Sequence, residues 1–166
     1  MTAELIVLGI DPGSRVTGWG VVRERSGVAS LVACGTVRTA EADMPRRLGV
    51  IFRGVVDVIA AHGPTVVAVE NVFTAKNPAS ALKLGQARGA AIAACALHGL
   101  EVHSYEPTKV KQTLVGVGRA DKQQVAFMVA TVLGVKKPTW AVDASDALAV
   151  ALCHLTMRRY ARILNS

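Results

Sequence analysis

Two stretches of this chain are apolar without a break, and each ends on a carboxylate. Leu5-Ile6-Val7-Leu8-Gly9-Ile10 runs into Asp11, and Thr65-Val66-Val67-Ala68-Val69 runs into Glu70. A strand with no polar alternation is buried on both faces, so it belongs inside a sheet covered on each side. An acid at the tip of such a strand is costly unless it is paired or binds a metal. For Asp11 alone there is a plain reading: with Pro12-Gly13 after it, the side chain can simply cap the turn. Whether more is involved depends on which other carboxylates converge on it.

The order of elements says where they converge. A strand over 16–24, with Val21 and Val22, follows the Pro12-Gly13 turn, and Gly27 turns the chain into a strand over 27–38. Connections this short make an antiparallel meander. The period then changes: from Pro45 to His62, residues Leu48, Ile51, Phe52, Val55, Val58 and Ile59 recur at helical spacing until Gly63-Pro64. After the 65–70 strand, Asn77-Pro78 reads as an N-cap with proline at the first helical position. The helix it opens, about 78–98, is rich in Ala and Gly. Small side chains let a neighbour approach closely, either its own sheet or a second copy across a homodimer seam.

A short strand over 100–104 comes next, then a helix from Pro107 carrying Lys109 and Lys111. Asp121 and Gln124 form a capping pair for a helix that turns Val125, Met128, Val129, Val132 and Leu133 inward. A last helix starts near residue 142 and runs into Arg158-Arg159-Tyr160. Three strands followed by α-β-α-β-α-α-α predict an α/β fold in one domain over 1–166, with a mixed five-stranded sheet and helices on both faces. The first strand and the 65–70 strand are parallel neighbours in that scheme. Asp11 and Glu70 then meet at the carboxyl ends of strands, where α/β sheets place their sites.

With 166 residues, 51% hydrophobic and 19% charged, the chain suits one compact core and argues against disorder. No apolar run reaches membrane-span length and no secretory signal opens the chain, so a soluble cytoplasmic protein is expected. Cys34, Cys95 and Cys153 are too scattered for a zinc site or a disulfide framework and read as buried free thiols. The net charge is +7, and between Lys76 and Lys137 stand nine Lys or Arg against three acids. That concentration favours a phosphate-binding face over a merely solvated one.

The last helix adds Asp143 and Asp146, three residues apart and therefore on one face, followed by Ala147, Leu148, Val150, Ala151 and Leu152. A helix-dipole role accounts for Asp143 by itself; Asp146, where the most apolar part begins, is harder to explain without a cation. Four carboxylates suit hard divalent ions such as Mg²⁺ or Mn²⁺. With the basic middle section, they point to metal-dependent phosphodiester hydrolysis.

The motifs Gly9-Ile10-Asp11-Pro12-Gly13-Ser14-Arg15-Val16-Thr17-Gly18, Val69-Glu70-Asn71-Val72-Phe73, Ser80-Ala81-Leu82-Lys83-Leu84-Gly85-Gln86-Ala87-Arg88-Gly89, Val110-Lys111-Gln112-Thr113 and Asp143-Ala144-Ser145-Asp146-Ala147-Leu148-Ala149 together resemble the bacterial RuvC Holliday-junction resolvases. The resemblance runs nearly the whole chain in the same order. It implies a ribonuclease-H-like fold and a homodimeric, structure-selective endonuclease. Such an enzyme nicks four-way DNA junctions in pairs during recombination and repair, leaving 5′-phosphate and 3′-hydroxyl ends.

By motif position, Asp11, Glu70, Asp143 and Asp146 correspond to the family's catalytic metal ligands, holding two Mg²⁺ (or Mn²⁺) ions per active site. Some members have His where this chain has Asp146. Phe73 matches an aromatic residue that stacks on an unpaired base. Lys122, counted with the catalytic group, and Lys111 match basic residues facing the scissile phosphate and the DNA. Arg15, Lys76, Lys83, Arg88 and Arg119 are candidates for backbone contacts. A junction-migrating helicase complex of the RuvA and RuvB type is the implied partner. RNA-maturation nucleases share the fold and the Gly-Ile-Asp opening; the Phe73 loop and the Lys83–Gly89 stretch favour the resolvase.

Overall fold

The structure, a computed structural model, describes residues 4–71 and 77–165. The three-strand meander consists of β1 (Leu5–Asp11), β2 (Val16–Arg25) and β3 (Val28–Arg38). There follow α1 (Met44–His62), β4 (Val66–Glu70), α2 (Pro78–Leu97), β5 (Val102–Tyr105), α3 (Pro107–Val115), α4 (Lys122–Val132) and α5 (Val142–Leu164). The five strands form one sheet in the order β3-β2-β1-β4-β5. The meander is antiparallel, and β4 and β5 add to it in parallel with β1.

Strand alternation sorts the side chains onto two faces. Leu8, Ile10, Val21, Val67 and Val69 pack with Ile51, Val55 and Ile59 of α1 and with Ala87, Ala91, Ala94 and Cys95 of α2. Val7, Val22, Val66 and Ala68 pack on the other face against α5, with α3 and α4 closing over α5 from outside. The uninterrupted apolar runs of β1 and β4 thus feed two cores at once.

The predicted elements are all present, with small shifts that have local causes. The fifth strand begins at Val102 rather than residue 100, because Leu100 still belongs to the end of α2. Its N–H donates to the Cys95 carbonyl at 3.2 Å, and Gly99 takes the left-handed conformation with φ 69°. On α4, Val125, Val129 and Leu133 are buried as predicted, but Val132 lies at the edge of that stripe and is 43% exposed. Cys95 and Cys153 are buried, whereas Cys34 on the edge strand β3 is only half-buried; all three are free thiols. Among the described residues no helix is long and apolar enough to cross a membrane.

Candidate active site

The sheet register carries Asp11 and Glu70 to the same place. Gly9 pairs with Ala68 and Ile10 with Val69, so the next step along the parallel strands reaches the two acids. Alternation also puts them on one face. Asp11 follows Val7, and Glu70 follows Val66 and Ala68, whose side chains meet α5.

The chain brings the first turns of α5 close onto that face by placing glycines beneath them. A Cβ added to Gly9 would drive into the Ala147 carbonyl oxygen, and one on Gly18 into the Asp143 carbonyl oxygen. Gly18 is the β2 partner of Asp11, and Gly20 is the partner of Gly9. The first turns of α5 therefore lie directly on the strand backbones, and Asp143 and Asp146 arrive beside the strand tips. No side chain caps the start of α5; Asp143 sits in its first turn, where a negative charge is favoured.

A cleft of about 430 Å³ opens at this point, lined by Asp11, Glu70 and Asp146 together with Lys111 of α3 and Lys122 of α4. Val110, Val125 and Ala149 form its apolar wall. The Lys122 ammonium stands 3.4 Å from an Asp146 carboxylate oxygen, its side chain 76% exposed. Asp143 is half-buried at the margin, and its charge is felt by both Asp11 and Asp146.

The electrostatics are those of crowded acids. Burial, then the charge and hydrogen bond of Glu70, then Asp146 and Asp143, push the Asp11 carboxyl up to about 9. Burial also raises Glu70, against its hydrogen bond from Asp11 and the charges of Lys122 and Lys111. Burial raises Asp146, opposed by Lys122. Lys122 is held more firmly protonated, above all by Asp146.

Among the described residues no group of three His, Cys, Asp or Glu stands close enough together to hold an ion by itself. Asp11 and Glu70 bond to each other and Asp146 turns to Lys122. The donors are nonetheless all carboxylate oxygens, half-buried and mutually repelling, and a hard divalent cation relieves that combination.

The other predicted residues are spread more widely. Arg15, Lys83 and Arg119 are exposed: Arg15 between β1 and β2, Lys83 on α2, and Arg119 before α4. Phe73 and Lys76 lie outside the described residues. Arg88 is half-buried and points at the protein: its Nε donates to the Glu70 carbonyl at 3.3 Å and its Nη2 to the Ser104 hydroxyl at 2.6 Å.

Some supports were not singled out from the sequence. Thr17 closes the turn after Asp11, its hydroxyl donating to the Gly13 carbonyl at 2.9 Å and accepting from the Gly13 N–H at 3.3 Å. Asn71 donates from Nδ2 to the Glu106 carboxylate at 2.7 Å. The available signal was adjacency: both supports lie within a few residues of a predicted ligand.

Comparison with known proteins decides the family. The sequence model described as crossover junction endodeoxyribonuclease RuvC matches residues 7–154. This chain belongs to the RuvC family. The RuvC crossover junction endodeoxyribonuclease of Solidesulfovibrio magneticus is 64% identical over 163 residues, covering 98% of this chain and 96% of the relative. The Thermus thermophilus RuvC structure superposes with a TM-score of 0.85 at 37% identity, covering 95% of this chain and 97% of that one. T. thermophilus RuvC in complex with Holliday junction substrate gives a TM-score of 0.88 at 37% identity, over 95% and 96% of the two chains. The mixed sheet is thus the ribonuclease-H-like sheet of RuvC, and the acid cleft lies within the matched span. As a RuvC enzyme the chain is a metal-dependent endodeoxyribonuclease.

Proposed function

We propose that this chain resolves four-way DNA junctions by hydrolysing one phosphodiester in each of two strands, with Asp11, Glu70, Asp143 and Asp146 holding two Mg²⁺ ions. Mn²⁺ suits the same oxygen donors. The observation that carries the reading is the cleft itself: three of the four acids and two lysines, from five separate elements, line one concavity. When bound, the ions supply Lewis acidity, making a water more acidic and offsetting charge on the phosphate oxygens.

The protein groups orient and exclude. Lys111 and Lys122 draw the scissile phosphate into an otherwise acidic cleft. Lys122, kept protonated by Asp146, faces the charge that grows on the phosphoryl oxygens. Val110, Val125 and Ala149 limit water on the α3–α4 side. Arg15, Lys83 and Arg119 supply exposed positive charge for the DNA backbone, Lys76 adds a further cation to it, and Phe73 is the aromatic residue on which a base stacks.

One active site makes one nick, so paired nicking calls for a homodimer. The outer surface of α2 supports it: small residues accompany Leu82 at 64% and Leu97 at 72% exposure. A cytoplasmic enzyme acting with a junction-migrating helicase complex of the RuvA and RuvB type completes the reading.

The test is cleavage of a labelled synthetic four-way junction in Mg²⁺, beside linear duplex and RNA–DNA hybrid. Paired symmetric nicks with 5′-phosphate ends in the junction alone, lost in Asp11→Asn, are expected. An Asp11→Asn protein that cuts at the normal rate overturns the assignment of the acids; cutting of the hybrid instead overturns the substrate.

A further inference from the structure

Arg88 stands on the face of the sheet opposite to the acid cleft. Its neighbour Ala87 is fully buried with Ala91, Ala94 and Cys95 against Leu8, Ile10, Val67 and Val69. The Glu70 side chain belongs to the α5 face; the Glu70 carbonyl is gripped from the α2 side. The same guanidinium reaches Ser104, which lies opposite Val69 in the β4–β5 register. One side chain therefore ties the last residue of β4 to its neighbour strand just where the ladder ends at the Glu70–Tyr105 pair. Beyond it the Asn71 N–H donates to the Tyr105 carbonyl at 2.8 Å and the Asn71 amide holds Glu106. Glu70 is thus fixed by its backbone from both flanks, while among the described residues its carboxylate is hydrogen-bonded to another acid, Asp11.

We infer that Arg88 is a positioning residue for the reaction: by holding the Glu70 carbonyl and Ser104 together from behind the sheet, it sets the direction in which the Glu70 carboxylate enters the cleft. The chemistry explains the residue type. Arginine presents separate N–H groups in a fixed planar fork, so it can engage two acceptors on different strands at once. A lysine keeps the charge but offers a single point on a flexible stem. Outer-shell groups of this kind act on the ligand they orient, and losing one typically weakens metal binding by about 10–100-fold. Arg88 thus has a task inside the protein, although its charge and its place in α2 would also suit a phosphate contact.

The inference rests on Glu70 being an acid of the active site, so Glu70→Gln is measured beside Arg88→Lys, Arg88→Ala and Ser104→Ala. Four readouts are taken on the full chain. They are single-turnover cleavage of the four-way junction at saturating enzyme, junction affinity without divalent metal as a function of salt, Mn²⁺ affinity by calorimetry, and the thermal midpoint. Positioning predicts that Arg88→Lys resembles Arg88→Ala. In both, cleavage and Mn²⁺ affinity fall about 10–100-fold while junction affinity and its salt slope stay as in the wild type. Ser104→Ala, which leaves the Glu70 contact in place, falls between and guards against a merely unfolded Arg88 variant.

A phosphate contact predicts the opposite pattern. Arg88→Lys then behaves as the wild type, and Arg88→Ala weakens junction binding with a salt slope reduced by about one while Mn²⁺ affinity is unchanged. That result overturns the inference. So does full activity and Mn²⁺ affinity in all three variants while Glu70→Gln is inactive. If Glu70→Gln itself cuts normally, the reading of Glu70 fails instead, and the two failures are told apart.

Discussion

The Lys122 ammonium reaches across from the start of α4 to within 3.4 Å of Asp146 on α5, and this pair joins the acid side of the cleft to its basic side. The contact is solvent-exposed at the lysine, so it adds little to stability. In the proposed reaction it acts on the substrate. Lys122→Ala should lower single-turnover junction cleavage by about 100-fold, the scale expected for losing one charge-stabilising donor. Junction affinity should stay nearly unchanged. A large loss of affinity with normal cleavage at saturation would assign Lys122 to binding alone.

Asp11 is the most crowded of the acids, and relieving the crowding should be visible without any substrate. In a metal-free buffer at neutral pH, Asp11→Asn should unfold a few degrees higher than the wild type, because a neutral amide replaces a carboxyl that burial and Glu70 push up to about 9. Added Mg²⁺ should then stabilise the wild type more than the variant, narrowing the gap. Thermal melts with and without Mg²⁺ check both halves; a variant that melts below the wild type in metal-free buffer contradicts the first.

Gly18 has the Asp143 carbonyl where a Cβ would stand. Because the obstacle is helix backbone, Gly18→Ala should push the start of α5 off the sheet, cost about 1–3 kcal/mol and lower cleavage. Denaturant unfolding and junction cleavage measure the two effects. An alanine here with wild-type stability would mean that α5 can shift freely, and that its contact with β2 does not fix the acids.

His154 offers a separate pH signature. Burial first, then His103 and Arg158, hold its imidazole down to about 4, and its Nδ1 lies 2.7 Å from the Tyr105 hydroxyl. The unfolded chain binds that proton near pH 6.5. Between the two values the unfolded state carries more protons, so stability rises with pH there and is lost as pH falls through the window. The loss should reach about 3 kcal/mol below pH 4. His154→Gln should remove this part of the slope, as urea melts at pH 7 and pH 4.5 would show; an unchanged slope would mean the imidazole titrates normally.

The sequence was most legible where one physical constraint acted alone. Unbroken apolar runs required buried strands, so β1 and β4 and their terminal acids could be placed. The i, i+3 spacing put Asp143 and Asp146 on one face of α5. Asp121 and Gln124 announced α4, and the capping box is there, with the Gln124 N–H 2.8 Å from Asp121. What stayed hidden depended on long-range approach. Gly9, Gly18 and Gly20 look like ordinary strand glycines until α5 is seen lying on them. Arg88 looked like one more cation in a basic stretch, because its partners Glu70 and Ser104 lie 18 and 16 residues away. Val132 followed the apolar pattern of α4 but fell at the margin of a narrow contact.

The glycine floor has a bearing on how the enzyme ages and adapts. Where a helix rests on side chains, the gap beneath it drifts as those side chains are exchanged over generations. Here backbone meets backbone where Gly9 faces Ala147 and Gly18 faces Asp143, so at these two points the approach of α5 to the strands is gauged by bond lengths and van der Waals radii. Side chains elsewhere in the core can be exchanged without entering these two contacts, as a clock case can be refitted around a fixed movement.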